Sequence, residues 1–229
     1  MTQPSSRTGK VLVLAAVEAE LVALAPLADS PRVQLALAGV GPAAAAARTA
    51  ALLAAAPGAY ALVVSAGIGG GFPGRARPDE LVVATESVAA DLGAETPETD
   101  QPGGGFLPLE ELGFGVSRYP ADPHAAGWLL RLLREAGLSA VEGPVLTVST
   151  VTGTAETLAA RSRRVPGAAA EGMEGFGVAE AAQLFGLPFA ELRAISNAVG
   201  PRDRGAWRMK EAFAALEAAA LIVKEALNE

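Results

Sequence analysis

Three places in the chain combine a strand-like run with polar side chains at its end. Val11-Leu12-Val13-Leu14-Ala15-Ala16 reads as a buried parallel strand and leads directly into Val17-Glu18-Ala19-Glu20-Leu21. A short apolar run, Ala168 to Glu171, passes into Gly172-Met173-Glu174-Gly175-Phe176, where one carboxylate stands at the start of a helical pattern. Phe189 to Ile195 reads as a strand ending on Ser196-Asn197. A carboxylate can take a proton from water or accept hydrogen bonds from a pair of hydroxyls, and a carboxamide can donate. In α/β proteins the ligand crevice lies at the carboxyl ends of the strands, which is where these groups fall. Each group also has a plain structural account. Acids suit the first turn of a helix, where they face its positive end, and a Ser-Asn pair suits a turn.

The elements that must position these groups are legible as alternating strand and helix signals. Helices are expected over residues 17 to about 27, 43–56 (after Pro42 at a first helical position), 124–136, after Thr157 and ending in the basic cluster 161–164, 174 to about 185, and from about 205 to the end. Asp122-Pro123 is an N-cap followed by proline at N1, and Gly186-Leu187-Pro188 is a stop signal. In the last helix Phe213, Leu216, Ala220, Val223 and Leu227 form the core face. Further strands are expected over 33–38, 61–65, 80–88 and 144–151. The third strand runs into Ala66-Gly67-Ile68-Gly69-Gly70-Gly71, either a glycine-lined ligand wall or a flexible loop. Residues 91–115, poor in periodicity, read as a mobile surface excursion. The basic cluster Arg161-Ser162-Arg163-Arg164 is a feature of a helix C-terminus, and His124 a solvent-facing first-turn residue. The pattern predicts an α/β fold, a three-layer α/β/α sandwich around a central, mostly parallel mixed sheet. It comprises one domain over 11–229 behind a loosely held N-terminus of residues 1–10.

Composition narrows the partners. With 229 residues and 51% hydrophobic content the chain can bury a sizeable core. The net charge of −7, from 18 basic against 25 acidic residues, comes without a basic block and argues against nucleic acid. The chain has no cysteine, hence neither disulfide framework nor thiol chemistry. It shows no signal core, membrane-length apolar run, metal cluster or nucleotide-cofactor fingerprint. A soluble, cytoplasmic protein with no cofactor and no bound metal is expected.

Together, the Ala-Ala-Val-Glu-x-Glu-Leu opening at residues 15–21, the glycine stretch, Met173-Glu174 and Arg193-Ala194-Ile195-Ser196-Asn197 resemble the nucleoside phosphorylase and nucleosidase superfamily. The resemblance covers Val11 to about Leu227. It implies that Glu20 activates water, with Glu18 left solvated, and that Met173 and Glu174 hold the ribose. It also implies that Asn197 faces the purine, with Gly70, Glu156 and Thr157 as further base contacts. In phosphorylases an arginine and a serine grip phosphate near the glycines. Here Ile68 replaces the serine, and the first following arginine is Arg75, which favours water as the nucleophile. The aromatic residue that nucleosidases place beside the base is missing near Thr152-Gly153-Thr154. Ser196-Asn197 followed by Gly-Pro-Arg-Asp-Arg-Gly-Ala-Trp at 200–207 is similar to the futalosine hydrolase branch, nucleosidases of menaquinone biosynthesis that release hypoxanthine.

The implied partners are a nucleoside and water, in a homodimer without membrane or nucleic acid. A carboxylate beneath C1′ would deprotonate water, a second would accept from the ribose hydroxyls, and an amide would donate to N7 or O6 of the departing base. Arg202 and Arg204 are candidates for an acidic 5′ group, or surface arginines paired with Asp203. The alternatives are a methylthioadenosine/S-adenosylhomocysteine nucleosidase, a purine nucleoside phosphorylase, or a non-catalytic nucleoside-binding protein.

Overall fold

The computed structural model describes residues 9–97 and 105–228. Most of the expected N-terminal segment and the middle of the 91–115 excursion therefore lie outside the described residues. In chain order the strands are β1 (Lys10–Ala15), β2 (Val33–Leu37), β3 (Tyr60–Gly71), β4 (Leu81–Ala89), β5 (Gly93–Glu95), β6 (Phe106–Pro108), β7 (Arg118–Pro120), β8 (Ala140–Thr147), β9 (Ala170–Gly172) and β10 (Phe189–Ala198). The helices are α1 (Glu18–Ala23), α2 (Pro42–Ala55), α3 (Leu109–Leu112), α4 (Pro123–Glu135), α5 (Ala155–Arg164), α6 (Gly175–Leu184) and α7 (Met209–Asn228).

The aliphatic run of β1 is buried because strands flank it on both edges and helices cover both faces. It pairs in parallel with β2 and β3. Its side chains alternate between two cores, as a period of two demands. Val13 and Ala15 share a core with α1, α4 and α7 through Ala23, Leu133 and Leu216. Leu12 and Leu14 pack with α2 and α6 through Ala45, Leu53 and Val178. The small residues of α2 and α6 permit close approach: a Cβ on Gly177 would collide with the carbonyl of Pro42. The expected cap of α4 is present, with the Asp122 carboxylate accepting from Ala125 N at 2.8 Å. His124 is exposed. Helix α1 ends at Ala23, short of the expected Leu27, and Ala25–Asp29 forms a 3-10 turn containing Pro26.

The sheet is mixed and largely parallel, in the order β2-β1-β3-β10-β4-β8-β9, with β7 on the side of β4. It is not a simple open layer. Strand β9 returns antiparallel to β3, so that β3, β10, β4, β8 and β9 close a ring. This closure explains two departures from expectation. The glycines after Ser65 belong to β3, since Gly67–Gly71 pair with β10 on one edge and Gly70–Gly71 with β9 on the other. Ser196 and Asn197 likewise lie within β10, at a register shift between Ile195 and Asn197, rather than in a turn. The 91–115 region holds structure of its own: β5 pairs with β6, and α3 follows, its Glu110 carboxylate accepting from Ser117 N at 2.6 Å.

Candidate active site

The carboxyl ends of β1, β3, β9 and β10 open into one cavity of about 300 Å³, roofed by residues 199–209. Glu20, Gly70, Met173, Glu174 and Asn197 all line it. The fold thus brings together groups from four separated stretches.

Glu20 sits in the first turn of α1 but is only 3% exposed, because its side chain folds back over the strand ends. One oxygen accepts from Ala16 N at 2.8 Å and Val17 N at 3.3 Å, the other from Ile68 N at 2.9 Å. The approach to β3 is so close that a Cβ on Gly67 would collide with the carboxylate. Glycine at that position is therefore a requirement of the site. Glu18, two residues earlier, is exposed.

Glu174 forms the N-cap of α6 and is 6% exposed. It accepts from Gly41 N, from its neighbour Met173 N and from Arg193 Nη1, each at 3.3 Å. Arg193 is the central cation. It is 1% exposed and also donates from Nε to Glu191 at 2.9 Å and from Nη2 to Ser65 Oγ at 2.9 Å. Burial alone would make the guanidinium easier to deprotonate, but Glu191, Glu174 and Glu20 together raise its pKa, so it stays charged. Glu191 is pushed up by burial, with Arg193 opposing. In the sequence Arg193 only opens the Arg-Ala-Ile-Ser-Asn motif, which carries no sign of its role. Glu191 lies two residues away on β10, whereas Glu174 and Ser65 come from elements distant in the chain.

Asn197 is half-buried opposite Gly70. Its Nδ2 donates to Ala198 O at 3.0 Å, and its Oδ1 lies 2.9 Å from the Ser196 hydroxyl. One donor of the amide is therefore held locally, and the side chain remains on the cavity wall.

A family model of the Phosphorylase superfamily matches residues 14–228. Curated futalosine hydrolases match as well. The protein of Streptomyces coelicolor is 57% identical over 78% of this chain and 73% of its own length. That of Acidothermus cellulolyticus is 47% identical over 70% of this chain and 66% of its own length. The chain belongs to the futalosine hydrolases of the phosphorylase superfamily. Among solved structures, futalosine hydrolase of Helicobacter pylori strain 26695 superimposes with a TM-score of 0.71 at 20% identity, over 98% of this chain and 97% of that one. The methylthioadenosine/S-adenosylhomocysteine nucleosidase of Neisseria meningitidis, in complex with methylthio-immucillin-A, gives 0.77 at 20% identity over 96% and 99%. These likenesses carry the fold.

On this futalosine hydrolase scaffold four of the expected site residues fall elsewhere than the sequence implied or divide between wall and surface. Glu156 and Thr157 occupy the first turn of α5, away from the cavity lining. Glu156 is exposed, and Thr157 N donates to the capping Thr154 Oγ1 at 3.1 Å. The wall in that quarter is made instead by Val151, Thr152 and Glu171. Glu171 is 5% exposed and pairs with Arg161 at 2.6 Å, so Arg161 is a buried ion-pair partner rather than a helix-end charge. The available signal was one acid in the otherwise apolar run 168–171. Arg202 lines the cavity and Arg204 does not; both are exposed, and they lie 5.0 and 5.7 Å from the Trp207 ring centre. Asp203 caps Gly205 N at 2.9 Å instead of pairing with either. Trp207 and Met209 complete the roof. Arg75 is exposed and absent from the lining. Among the described residues no cluster of three His, Cys, Asp or Glu side chains could hold a metal ion, and no helix is long and apolar enough to cross a membrane.

Proposed function

We propose that this protein hydrolyses the N-glycosidic bond of futalosine, releasing hypoxanthine and dehypoxanthine futalosine, a step of menaquinone biosynthesis. Membership of the futalosine hydrolases supports the substrate. The observation that carries the chemistry is Glu20, fixed by three backbone N–H groups inside the cavity that also holds Glu174 and Asn197.

In this reading Glu20 takes a proton from a water beneath C1′, and the hydroxide oxygen bonds to C1′ as the C1′–N9 bond breaks. The electron pair of that bond leaves with the base, which gains a proton from water. Glu174 accepts from the ribose hydroxyls; its existing bonds, all at 3.3 Å, leave it able to do so. Two carboxylates beside the sugar also favour the positive charge that develops on it. Met173 packs beside the ribose, and Asn197 and Gly70 face the base. Arg202 and, further out, Arg204 read the acidic 5′ group. Water is preferred over phosphate because the nucleophile's side of the cavity presents Glu20, and among the described residues the arginine on the cavity wall is Arg202 of the roof. A carboxylate there would repel a phosphate anion.

The remaining parts of the proposal are one domain over residues 11–229, a cytoplasmic location and a homodimer. Phe114 and Leu184, 79% and 75% exposed, are apolar surfaces that a second copy would cover. The mechanism is tested with Glu20→Gln and with phosphate added or withheld. We expect phosphate-independent release of hypoxanthine and a loss of about 10²–10⁴-fold in kcat for the variant. Turnover unchanged in Glu20→Gln, or a sugar phosphate as product, would remove the mechanism.

A further inference from the structure

We infer that Glu171 reads the base: its carboxylate accepts the N1–H of a 6-oxopurine and so selects that base over a 6-aminopurine. The inference rests on the nucleosidase reading above and extends it to a residue outside the motifs.

The first observation is the place of Glu171 in the sheet. Gly70 of β3 pairs with Asn197 on one edge and with Glu171 on the other. All three residues line the cavity. Two strand spacings separate the flanking backbones, about 9–10 Å. A planar base lying over Gly70 would meet an amide on one side and a carboxylate on the other.

The second observation is how Glu171 is held. Oε1 accepts from Thr152 N at 2.7 Å, and Oε2 accepts from the Thr152 hydroxyl and from Arg161 Nη1 at 2.6 Å. Arg161 Nη2 in turn donates to Thr150 O at 2.7 Å. The buried charge has its countercharge and is fixed in orientation, which an unpaired carboxylate at this depth would not be. A carboxylate offers about four lone-pair directions, so these three bonds leave one free, on Oε1. Meanwhile the Thr152 N–H is engaged by Oε1 and is not offered to a ligand. The wall therefore shows an acceptor. Hypoxanthine carries a hydrogen on N1 and satisfies it. Adenine presents a bare N1 lone pair there, which an anionic oxygen repels.

The test has a variant arm and a wild-type arm. Glu171→Gln keeps the side chain's shape and replaces one oxygen by a donor. We expect kcat/KM for futalosine to fall about 10–100-fold while its 6-amino counterpart, with the same 5′ group, is unchanged or improves. An equal fall on both substrates means that Glu171 only braces the loop. In the wild-type arm, calorimetry compares hypoxanthine with 1-methylhypoxanthine, which lacks the N1–H. We expect binding at least about tenfold weaker for the methylated base. Equal affinity, or no binding of hypoxanthine, overturns the inference even if the variant fails to fold. Failure of wild-type protein to release hypoxanthine from futalosine would instead count against the function itself, whatever the two bases do.

Discussion

The floor and the roof of the cavity are built on different terms. The floor is made at strand ends: Glu20 and Glu174 are 3% and 6% exposed, and each is bonded to backbone N–H groups of a distant turn or strand. Arg193 beneath them is buried and joins Glu174, Glu191 and Ser65. The roof is a loop, a 3-10 turn over Arg204–Ala206 and the start of α7, with Arg202 and Arg204 in solvent against Trp207. Groups that must hold a reacting atom to a fraction of an ångström belong on rigid elements. Groups that recognise one end of a substrate can sit on a loop that varies and moves. Floor substitutions should therefore cost turnover on every nucleoside, and roof substitutions should change which nucleoside is preferred.

After Glu20→Gln, the largest effect is expected from Glu174→Ala. Its loss should lower kcat/KM by at least about 10²-fold on futalosine and inosine alike, while the chain stays folded, because Arg193 keeps Glu191 as partner. Steady-state kinetics with a melting curve checks this. Normal kinetics with a melting temperature only slightly lowered would make Glu174 a helix-dipole acid worth about 0.3–1 kcal/mol and nothing more.

An intermediate effect is expected at the boundary of floor and roof. Asn197→Asp should lower kcat/KM for a 6-oxo substrate more than for its 6-amino analogue by about one to two decades, since a carboxylate repels O6 and accepts from a 6-amino group. Both substrates must carry the same 5′ group. A ratio within error of wild type would mean that Asn197 only bonds its own backbone, as it already does to Ala198 O.

The smallest effects should come from the roof. Arg202→Ala is expected to raise KM for futalosine about tenfold with little change on inosine, the size of one charge-assisted contact in a half-open setting. Arg204→Ala, off the cavity wall, should do less. An equal loss on both nucleosides would show that the loop supports the cavity and does not read the carboxylate, and the contrast between floor and roof would lose its basis.

The floor was also the more legible part of the chain. Glu20, Glu174 and Asn197 stand at the ends of short aliphatic runs, and a strand end is a local pattern that a single sequence displays. The Asp122-Pro123 cap and the apolar face of α7 were legible for the same reason. What escaped was set by partners distant in sequence. The glycines after Ser65 look like a loop until β9 and β10 are laid against them. Arg161 looks like a helix-end charge until Glu171 is brought beside it by closure of the ring. The family resemblance implies base contacts for Glu156 and Thr157, just after Thr152-Gly153-Thr154. The Thr154 cap starts α5 at that point and turns Glu156 to solvent.

The most direct measurement is incubation of the wild-type protein with a small panel, futalosine, inosine and methylthioadenosine, without phosphate, followed by chromatography of the released base. We expect rapid release of hypoxanthine from futalosine, slower release from inosine and little adenine from methylthioadenosine. Adenine as the main product, or no release until phosphate is added, would contradict the assignment of this cavity to futalosine hydrolysis.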